Sequence, residues 1–355
     1  MRAAKFLDLL KTRTVVFDGA MGTSIQARNP SPEEFGGGHL DGCNDHLVLS
    51  APELIKDIHA SFLDVGCDVI ETNTFRANRF ALREYDLQNS VTKINQAAAR
   101  LGRGLAHSFS TPQEPKFVAG SVGPSGFLPS SSDPELGRIT YEELVEGYEE
   151  QVEALLTGGV DLILIETGQD ILEVRASVTG ARRAMARFGR KAPIQAQVTL
   201  DVTGRMLLGT DIASAMVTLE ALKIDVLGIN CSTGPEHMRN AVRYLFQHGR
   251  TPISVIPNAG IPRNVGGEAE YPLSPGELAR AHREFVEEMG VSVVGGCCGT
   301  TPAHMKAVVQ ELEGVSTRPR SSVPRTPRVS SGVRAVDLRQ IPAPTIIGER
   351  VNAQG

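Results

Sequence analysis

Short apolar runs rich in β-branched residues alternate with longer amphipathic stretches along most of the chain. The runs have the length of buried strands, and the stretches between them have the length of helices. The eight predicted strands are 14–20, 68–75, 116–123, 161–167, 194–199, 226–232, 253–260 and 291–299. Regular alternation of strands and helices is typical of a parallel sheet covered by helices.

The segments between the predicted strands carry helical periodicity and helix-ending signals. Apolar residues recur at helical spacing over 52–65, 141–156, 171–188 and 275–289, and glycines at 66, 158, 189, 249 and 290 stand where a helix C-cap belongs. Eight such units predict an α/β fold, a (β/α)8 TIM barrel of about 250 residues plus insertions at 26–45 and 123–137. A doubly wound sheet stays open as an alternative, because a strand count does not show closure.

The pattern changes after Glu313. Residues 315–339 hold six arginines, five serines, three prolines and one acidic residue, without an aromatic residue. This composition predicts a solvated C-terminal linker over 315–344 rather than a nucleic-acid-binding arm, because no aromatic side chain can stack on bases. Residues 345–355 become apolar again and are typical of the opening strand of a second domain. The predicted organisation is a barrel over 1–314, a linker, and the start of another domain.

Charge and composition narrow the class of partner. The chain has 355 residues, of which 36 are basic and 41 acidic, and its formal net charge is −5. No global positive field is available to hold nucleic acid or an anionic membrane, so we expect neither partner and favour a small molecule. Lys5, Asp8 and Lys11 interrupt the N-terminal apolar stretch, and no run approaches the ~18 residues of a membrane span. The expected location is the cytoplasm, where thiols stay reduced.

Three of the five cysteines fall at the ends of predicted strands. Cys231 ends the sixth strand, and Cys297 and Cys298 end the eighth. Active sites of such barrels lie at the carboxyl ends of the strands, where thiolates leaning inward across roughly 10 Å could share one ion. Three thiolates with one open tetrahedral position are typical of a catalytic Zn²⁺ site. The alternative is that these cysteines are small buried core residues.

The residues around the vicinal cysteines support the metal site. Neighbouring side chains on a regular strand point to opposite faces, so both thiols reach one ion only from irregular backbone. Gly295, Gly296 and Gly299 supply that conformational freedom. Cys43 and Cys67 have no such placement and are expected to be structural, and the histidines show no ligand spacing.

Two carboxylates follow apolar strands at the same rim. Asp18 comes at the end of the first predicted strand and Glu166 at the end of the fourth. Together they could hold an ammonium group. The alternatives are a turn cap for Asp18 and an ion pair for Glu166. A glycosidase acid and nucleophile also stays open, because the sequence does not give their separation.

Five motifs together resemble the zinc-dependent homocysteine S-methyltransferases. They are FDGAMGT at 17–23, ETNTF at 71–75, NCS at 230–232, PNAG at 257–260 and GGCCGTTP at 295–302. The resemblance extends over about 14–313 and implies a barrel that binds and activates L-homocysteine. It implies that Cys231, Cys297 and Cys298 bind zinc, and that Asn258 is the fourth ligand until substrate arrives. The substrate-binding residues that it implies are Asp18, Gly19 and Glu166.

Two of the motifs point to one branch of that family. PNAG at 257–260 and GERVN at 348–352 are most similar to the cobalamin-dependent methionine synthases, in which a folate-binding barrel follows the homocysteine barrel. This resemblance implies methylcobalamin as the methyl donor, held on a cobalamin-binding domain or subunit, and implies that the chain is one part of a longer or split enzyme. The alternatives are a stand-alone methyltransferase that uses S-methylmethionine or betaine, and a zinc- or redox-responsive thiol protein.

Overall fold

Eight parallel strands form one sheet in the computed structural model, which describes residues 2–319 and 327–339. They are β1 (Val15–Val16), β2 (Val69–Glu71), β3 (Phe117–Val122), β4 (Leu162–Gly168), β5 (Ile194–Val198), β6 (Val226–Asn230), β7 (Ile253–Ile256) and β10 (Val293–Val294). Strand β1 pairs in parallel with β10 on one side, and through Phe17 and Val69 with β2 on the other. The sheet therefore closes on itself, which confirms the predicted TIM barrel and excludes the doubly wound alternative.

Helices surround the barrel. They are α1 (Arg2–Leu9), α2 (Met21–Arg28), α3 (Pro32–Phe35), α4 (Leu47–Ser50), α5 (Pro52–Asp64), α6 (Arg79–Leu82), α7 (Val91–Phe109), α8 (Tyr141–Gly158), α9 (Ile171–Phe188), α10 (Ile212–Ala221), α11 (Pro235–His248), α12 (Pro275–Met289) and α13 (Pro302–Glu311). Short 3-10 turns cover Gly38–Leu40, Asn44–His46 and Arg83–Tyr85. Within 2–319 and 327–339, no helix has the length and apolar character needed to cross a bilayer.

Local sequence signals account for the helix boundaries. Capping boxes at Thr140 and Ser274 begin α8 and α12, because each side chain accepts the backbone N–H three residues later. Gly189 and Gly290 end α9 and α12 in the left-handed conformation. The cap of α8 is Gly159 rather than the predicted Gly158, which lies inside the helix. The four helices predicted from periodicity are therefore present to within two residues at each end.

Apolar side chains close the barrel at its N-terminal end. Phe6 of α1 packs edge-on against Phe17 and Phe117, with ring centroids 6.4 and 5.7 Å away. All three rings are buried, and burying each one contributes about 1.5–3 kcal/mol. The opposite end, at the carboxyl ends of the strands, is therefore the open one.

A layer of polar side chains lies inside the barrel between this plug and the open end. Gln197 on β5, Gly228 on β6 and Ser254 on β7 are register neighbours across three strands. The Ser254 hydroxyl donates to Gln197 Oε1 at 3.3 Å and accepts from Gln195 Nε2 at 3.1 Å. A Cβ on Gly228 would lie 2.7 Å from Gln197 Oε1, so only glycine leaves room for this row.

The loop after β7 contains a hairpin that the sequence pattern did not predict. Strands β8 (Arg263–Val265) and β9 (Glu268–Glu270) pair antiparallel around Gly266 and Gly267. Both glycines have positive φ, as a two-residue hairpin turn requires. The hairpin projects from the open end of the barrel, and the chain returns from it directly beside the candidate site.

A second hairpin lies within the segment predicted as a linker. Strands β11 (Arg328–Ser330) and β12 (Ala335–Asp337) pair antiparallel, and the Ser330 hydroxyl donates to the Ser214 carbonyl of α10 at 3.3 Å. A guanidinium nitrogen of Arg328 also lies 3.4 Å from the Tyr244 hydroxyl of α11. Valines alternating with polar residues supply a strand pattern that the arginine- and serine-rich composition obscured. Residues 345–355, predicted to open another domain, lie outside the described residues.

Candidate metal centre and substrate pocket

Three cysteine sulfurs meet at the open end of the barrel. The Sγ atoms of Cys231, Cys297 and Cys298 lie within 4.8 Å of one another. Cys298 Sγ is 4.0 Å from Cys231 Sγ and 4.0 Å from Cys297 Sγ. The cysteines follow β6 and β10, and β7 lies between these two strands. The sulfurs therefore meet across one intervening strand, as predicted.

The backbone after β6 bends sharply to bring the first sulfur inward. Cys231 and Ser232 have φ of 62° and 63°, in the left-handed region. A residue other than glycine in such a conformation costs of order 1–3 kcal/mol and is found mostly at functional sites. Three backbone hydrogen bonds hold the bend: Cys231 N–H to Ile256 O at 3.1 Å, Thr233 N–H to Cys231 O at 2.7 Å, and Asn258 N–H to Thr233 O at 3.1 Å.

The vicinal pair is held against the loop after β7. Cys297 N–H donates to the Pro257 carbonyl at 2.8 Å, and Ala259 N–H donates to the Cys298 carbonyl at 2.9 Å. Cys298 and Gly299 form a turn, which gives the irregular backbone that the pair requires. The loop after β7 thus positions both sulfurs of the pair relative to Cys231.

The three glycines around the pair serve different purposes. Only Gly299 has a positive φ, of 79°. Gly295 and Gly296 are required by close packing, since a Cβ on Gly295 would lie 2.9 Å from Phe17 Cβ and one on Gly296 would overlap the Thr300 side chain. Of the three glycines predicted to supply conformational freedom, only Gly299 does so. Gly295 and Gly296 are glycines because a side chain there would not fit.

Hydrogen bonds within the sulfur cluster favour a thiolate. Hydrogen bonds from Cys231 and Cys297 lower the pKa of Cys298 to about 3, against the effect of burial. The Tyr271 ring packs against Gly299, next to this cluster. Burial and the neighbouring sulfurs raise the pKa of the Tyr271 hydroxyl to about 12, so it stays protonated at neutral pH. Tyr271 did not emerge from the sequence, because it belongs to the unpredicted hairpin return.

The donor set fits a zinc ion. Sulfurs that coordinate one zinc at about 2.3 Å in tetrahedral geometry lie about 3.8 Å apart, close to the two 4.0 Å separations. Asn258, at the end of the strand between the cysteine-bearing strands, is buried, and its Oδ1 has no hydrogen-bond partner in the described part of the chain. An unpartnered buried oxygen beside three thiols is a suitable fourth donor.

Three carboxyl groups lie together at the same end of the barrel, and one of them, Glu166, interacts with the sulfur cluster. Burial, together with the charge of Glu166, raises the pKa of Asp18 well above its usual range. Burial and the charges of Glu166 and Asp18 do the same for Glu71. Burial also raises the pKa of Glu166 to about 7, with a contribution from Cys298. The structure therefore brings the predicted pair together and adds Glu71.

Only part of this carboxyl group cluster is satisfied by hydrogen bonds. Asp18 Oδ2 accepts the Glu71 N–H at 3.1 Å, and Glu166 accepts from Ser121 Oγ at 2.5 Å and Asn230 Nδ2 at 3.2 Å. Asp18 Oδ1 and Glu71 Oε1 are buried without a partner among the residues described. Unpartnered carboxyl oxygens in a buried pocket favour a cationic ligand.

Glu71 had a detectable signal in the sequence. On β2, Val69 packs inside the barrel and Ile70 outside it. Strict alternation therefore places Glu71 on the inner face, beside Glu166 on the same face of β4. The predicted strand runs to residue 75, past the observed end, so Glu71 did not stand out as its last inward-facing residue.

A buried histidine completes the pocket on the helix side. His59 of α5 lies with Nδ1 4.0 Å from Asp18 Oδ2 and is 1% exposed. Burial lowers its pKa to about 4, so the ring is neutral at pH 7. The histidines were expected to lie outside the metal site, and the sulfur cluster found within the described residues contains none of them.

The remaining predicted site residue is Gly19. A Cβ there would lie 2.7 Å from the Phe62 ring and 2.9 Å from Thr300 Oγ1, so the residue allows the chain to pass between α5 and the loop after β10. Helix α2 begins two residues later, and its N-cap Ala20 offers no side-chain cap. Cys43 and Cys67 are buried away from the sulfur cluster, as expected of structural residues.

Comparison with known proteins agrees with this arrangement. Residues 15–312 match the family model described as homocysteine S-methyltransferase. The chain is 42% identical over 349 residues to methionine synthase from Mycobacterium tuberculosis, and 40% identical over 353 residues to methionine synthase from Mycobacterium leprae. These matches cover 98% of the chain and 29% of each relative, so the chain spans less than a third of their length.

Solved structures with the same fold include the homocysteine methyltransferase MmuM from Escherichia coli. Its metallated form superposes with a TM-score of 0.67 at 24% identity, covering 87% of this chain and 99% of that one. Its oxidized form gives a TM-score of 0.66 at 25% identity, covering 84% and 95%. The family model spans the whole barrel, including the sulfur cluster and the carboxyl groups. The chain belongs to the homocysteine S-methyltransferase family.

Proposed function

We propose that this chain binds zinc and L-homocysteine and activates the homocysteine thiol for methyl transfer, which gives methionine. The observation that carries the proposal is the juxtaposition of three sulfurs within 4.8 Å and three buried carboxyl groups at one end of the barrel. Homocysteine has a thiol at one end and an ammonium group at the other. One molecule therefore suits both halves of the site, as membership of the family also suggests.

Cys231, Cys297 and Cys298 are the residues that would hold the zinc ion. Bound zinc lowers the pKa of a thiol that coordinates it from about 8.5, and so supplies a thiolate nucleophile at neutral pH. Asn258 Oδ1 is the proposed fourth ligand in the absence of substrate. Because the thiol proton can leave to solvent, the chain needs no general base near the sulfur.

Carboxyl groups hold the other end of the substrate. Asp18, Glu71 and Glu166 accept hydrogen bonds from the homocysteine ammonium group, whose charge offsets their mutual repulsion. Backbone N–H groups at Gly19 and at the start of α2 donate to the homocysteine carboxylate, as helix N-termini commonly do for anions. This pocket fixes the substrate by its amino acid group and leaves the sulfur to reach the cysteines.

The methyl donor is methylcobalamin, presented by a cobalamin-binding domain outside this chain. Methylcobalamin would supply the electrophilic methyl group: the homocysteine sulfur would bond to the methyl carbon as the bond from that carbon to its donor breaks, with the bonding electron pair left on the donor. A folate-binding domain would then resupply the methyl group. This part rests on the similarity of residues 257–260 and 348–352 to cobalamin-dependent methionine synthases and on the two curated relatives. A cytoplasmic location goes with it, because the thiols must stay reduced.

Zinc-edge X-ray absorption on the zinc-loaded chain, with and without L-homocysteine, tests the activation step. We expect the zinc ion to have three sulfur neighbours in the chain without homocysteine and four after homocysteine is added. A shell that does not change on addition of homocysteine, or a chain that binds no zinc, would contradict the proposal. The Cys43→Ala variant is the matched control, since it removes a buried cysteine away from the cluster and should keep both shells.

A second experiment tests the donor. Zinc-loaded chain is incubated with L-homocysteine and free methylcobalamin, S-methylmethionine or betaine, and methionine is measured by mass spectrometry. Of the three donors, we expect only methylcobalamin to give methionine above background. Turnover with S-methylmethionine or betaine instead would identify a stand-alone methyltransferase. Zinc binding without methionine from any donor, and without homocysteine binding, would favour a thiol protein that responds to zinc or oxidants.

A further inference from the structure

Strand β4 is irregular where it reaches the open end of the barrel. Its pairing with β5 shifts register between Ile165 and Gly168, so two residues of β4, Glu166 and Thr167, lie opposite a single residue of β5. Thr167 has a φ of 57°, in the left-handed region that a β-branched residue rarely adopts. A bulge of this kind interrupts the ladder and re-aims the side chains that it carries. The direction of the Glu166 carboxyl group is therefore set by a distorted part of the strand.

The side chain of Asn230, at the end of β6, binds both residues of this bulge across the intervening β5. Its Oδ1 accepts the Thr167 N–H at 2.8 Å, while its Nδ2 donates to Thr167 Oγ1 at 2.9 Å and to Glu166 Oε2 at 3.2 Å. Because a backbone N–H can only donate, the oxygen of the amide must face Thr167 N and its nitrogen must face Glu166. One fully buried amide thus holds the strained backbone and the carboxyl group together.

The backbone of Asn230 is itself anchored on two sides. Thr199 Oγ1, after β5, donates to the Asn230 carbonyl at 2.8 Å, and the N–H of the next residue, Cys231, donates to the Ile256 carbonyl of β7 at 3.1 Å. The position of Cys231 therefore depends on backbone contacts rather than on the Asn230 side chain. A change confined to that side chain should act on the carboxyl group and leave the sulfur in place.

This arrangement sets Glu166 apart from its neighbours. Each of its oxygens has a donor, Ser121 Oγ at 2.5 Å and Asn230 Nδ2 at 3.2 Å. Asp18 Oδ1 and Glu71 Oε1 have no partner within the part of the chain that the structure describes. A carboxyl group that is already held in place loses little further side-chain freedom when a ligand binds. Glu166 is thus pre-organised to receive a cation, and Asn230 supplies half of that organisation.

We propose that Asn230 is a positioning residue for the amino acid end of the substrate, which holds the β4 bulge and so directs the Glu166 carboxyl group at the substrate ammonium group. The inference rests on the proposed function, because it presumes that Glu166 binds that group. It gives two neighbouring residues of the NCS motif at 230–232 different roles, Cys231 at the sulfur end of the substrate and Asn230 at the other end.

The Asn230→Ala variant tests this role with two ligands that differ only in the ammonium group. L-Methionine has that group, and its 2-hydroxy analogue has a hydroxyl in its place. In calorimetric titrations of the zinc-loaded chain, Asn230→Ala should bind methionine about tenfold more weakly, as loss of one hydrogen bond to a charged group predicts. Affinity for the hydroxy analogue should change by less than about twofold. Equal losses for both ligands would overturn the proposal, since a general distortion of the pocket affects both.

A double-mutant cycle with Glu166→Gln shows whether Asn230 acts through that residue. If it does, Asn230→Ala should weaken methionine binding by less than about twofold in the Glu166→Gln background, because the group that it positions has already lost its charge. A full tenfold loss in that background would mean that the two residues act independently, and would overturn the proposal.

Asn95→Ala is the matched control for loss of a buried amide. Asn95 lies in α7, and its Nδ2 donates to the Ala77 and Val91 carbonyls at 2.8 Å each. This variant should lose stability but keep the methionine affinity of the wild type. A tenfold loss of methionine affinity in Asn95→Ala would show that loss of a buried amide anywhere in the barrel has this effect, and would remove the case for Asn230.

The remaining outcomes separate this inference from the proposed function. Asn230→Ala should keep zinc affinity within about twofold, and a parallel loss of zinc and methionine binding would overturn a role confined to the amino acid end. If Asn230→Ala fails to fold, Asn230→Ser, which keeps a polar group and leaves room for a water at the bulge, takes its place in the same titrations. Wild-type methionine affinity in the single variant Glu166→Gln would overturn the proposed role of Glu166, and this inference with it.

Discussion

At the scale of single residues, the three cysteines lie apart from the apolar residues that close the barrel. They lie at the open rim, while the barrel is closed at its other end by Phe6 and its neighbours. Replacing any one of Cys231, Cys297 or Cys298 by Ala should therefore lower zinc content at least tenfold and abolish methyl transfer, with the barrel still folded. Metal analysis and far-UV circular dichroism on each variant check this. Global unfolding of all three would mean that the metal is structural.

The carboxyl groups carry the second residue-scale prediction, which concerns pH. Burial raises the pKa of Glu166 to about 7, so below that pH the group is protonated and no longer offers a negative charge to an ammonium group. Affinity for L-methionine, which has the ammonium group but no thiol, should therefore fall as pH drops from 8 to 5.5. Isothermal titration calorimetry over that range measures it, free of the thiol's own titration.

Glu166→Gln is the matched variant for that measurement. It keeps the shape and the contact with Ser121 but removes the charge, so methionine should bind about 10–100-fold more weakly at pH 8, as loss of a charged hydrogen bond predicts. Its affinity should also depend less on pH than that of the wild type. If methionine affinity depends on pH in Glu166→Gln as it does in the wild type, the pH dependence comes from Asp18 or Glu71 instead.

At the scale of elements, helix α12 supports the cysteine loop through one buried side chain. His282 Nε2 lies 2.9 Å from the Gly295 carbonyl, and burial lowers the pKa of the ring to about 4. A neutral ring therefore donates to that carbonyl. His282→Leu leaves the carbonyl without its donor, so the free energy of unfolding at pH 7 should fall by about 1–3 kcal/mol, measured by urea denaturation.

The same histidine makes a pH-dependent contribution to stability. Its folded-state pKa is below the unfolded value of about 6.5, so the unfolded state takes up the proton first as pH falls. The stabilisation is present above pH 6.5 and is lost toward pH 4. The gap between wild type and His282→Leu should shrink over that interval. The exposed His107→Leu is the control, and a gap independent of pH would contradict a neutral buried ring.

The elements also show which parts of the fold can be predicted from sequence. The eight strands and four long helices were predictable because burial on one or both faces gives a regular hydrophobic periodicity. The cysteine site was predictable because its residues stand at the ends of predicted strands. Glu71 was missed because the predicted strand runs four residues past its observed end at Glu71. Tyr271 was missed because its place depends on the packing of a turn against Gly299, a long-range contact with no periodic signal. The β11–β12 hairpin was missed because its short alternation of valines and polar residues lies in a segment whose arginine- and serine-rich composition is typical of a linker.

At the scale of the whole molecule, residues just after the predicted boundary at 314 contact the barrel. Arg318 N–H donates to the Val286 carbonyl at 3.0 Å, and its guanidinium lies 5.1 Å from the centre of the Phe246 ring. The Thr317 hydroxyl lies 2.9 Å from that of Thr14, next to β1. Residues 317 and 318 therefore pack against the barrel, and we propose that the barrel unit extends at least to Pro319.

Two truncations test that boundary. A chain ending at Pro319 should keep zinc content, homocysteine affinity within about twofold and turnover with any small donor, because every site residue precedes it. A chain ending at Gly314 loses the contacts of Thr317 and Arg318, and its free energy of unfolding should be lower by about 1–2 kcal/mol, the range of two lost hydrogen bonds. Urea denaturation compares the two chains. Equal stability would place the boundary at 314, whereas loss of homocysteine binding in the chain ending at Pro319 would mean that the β11–β12 hairpin contributes to the site.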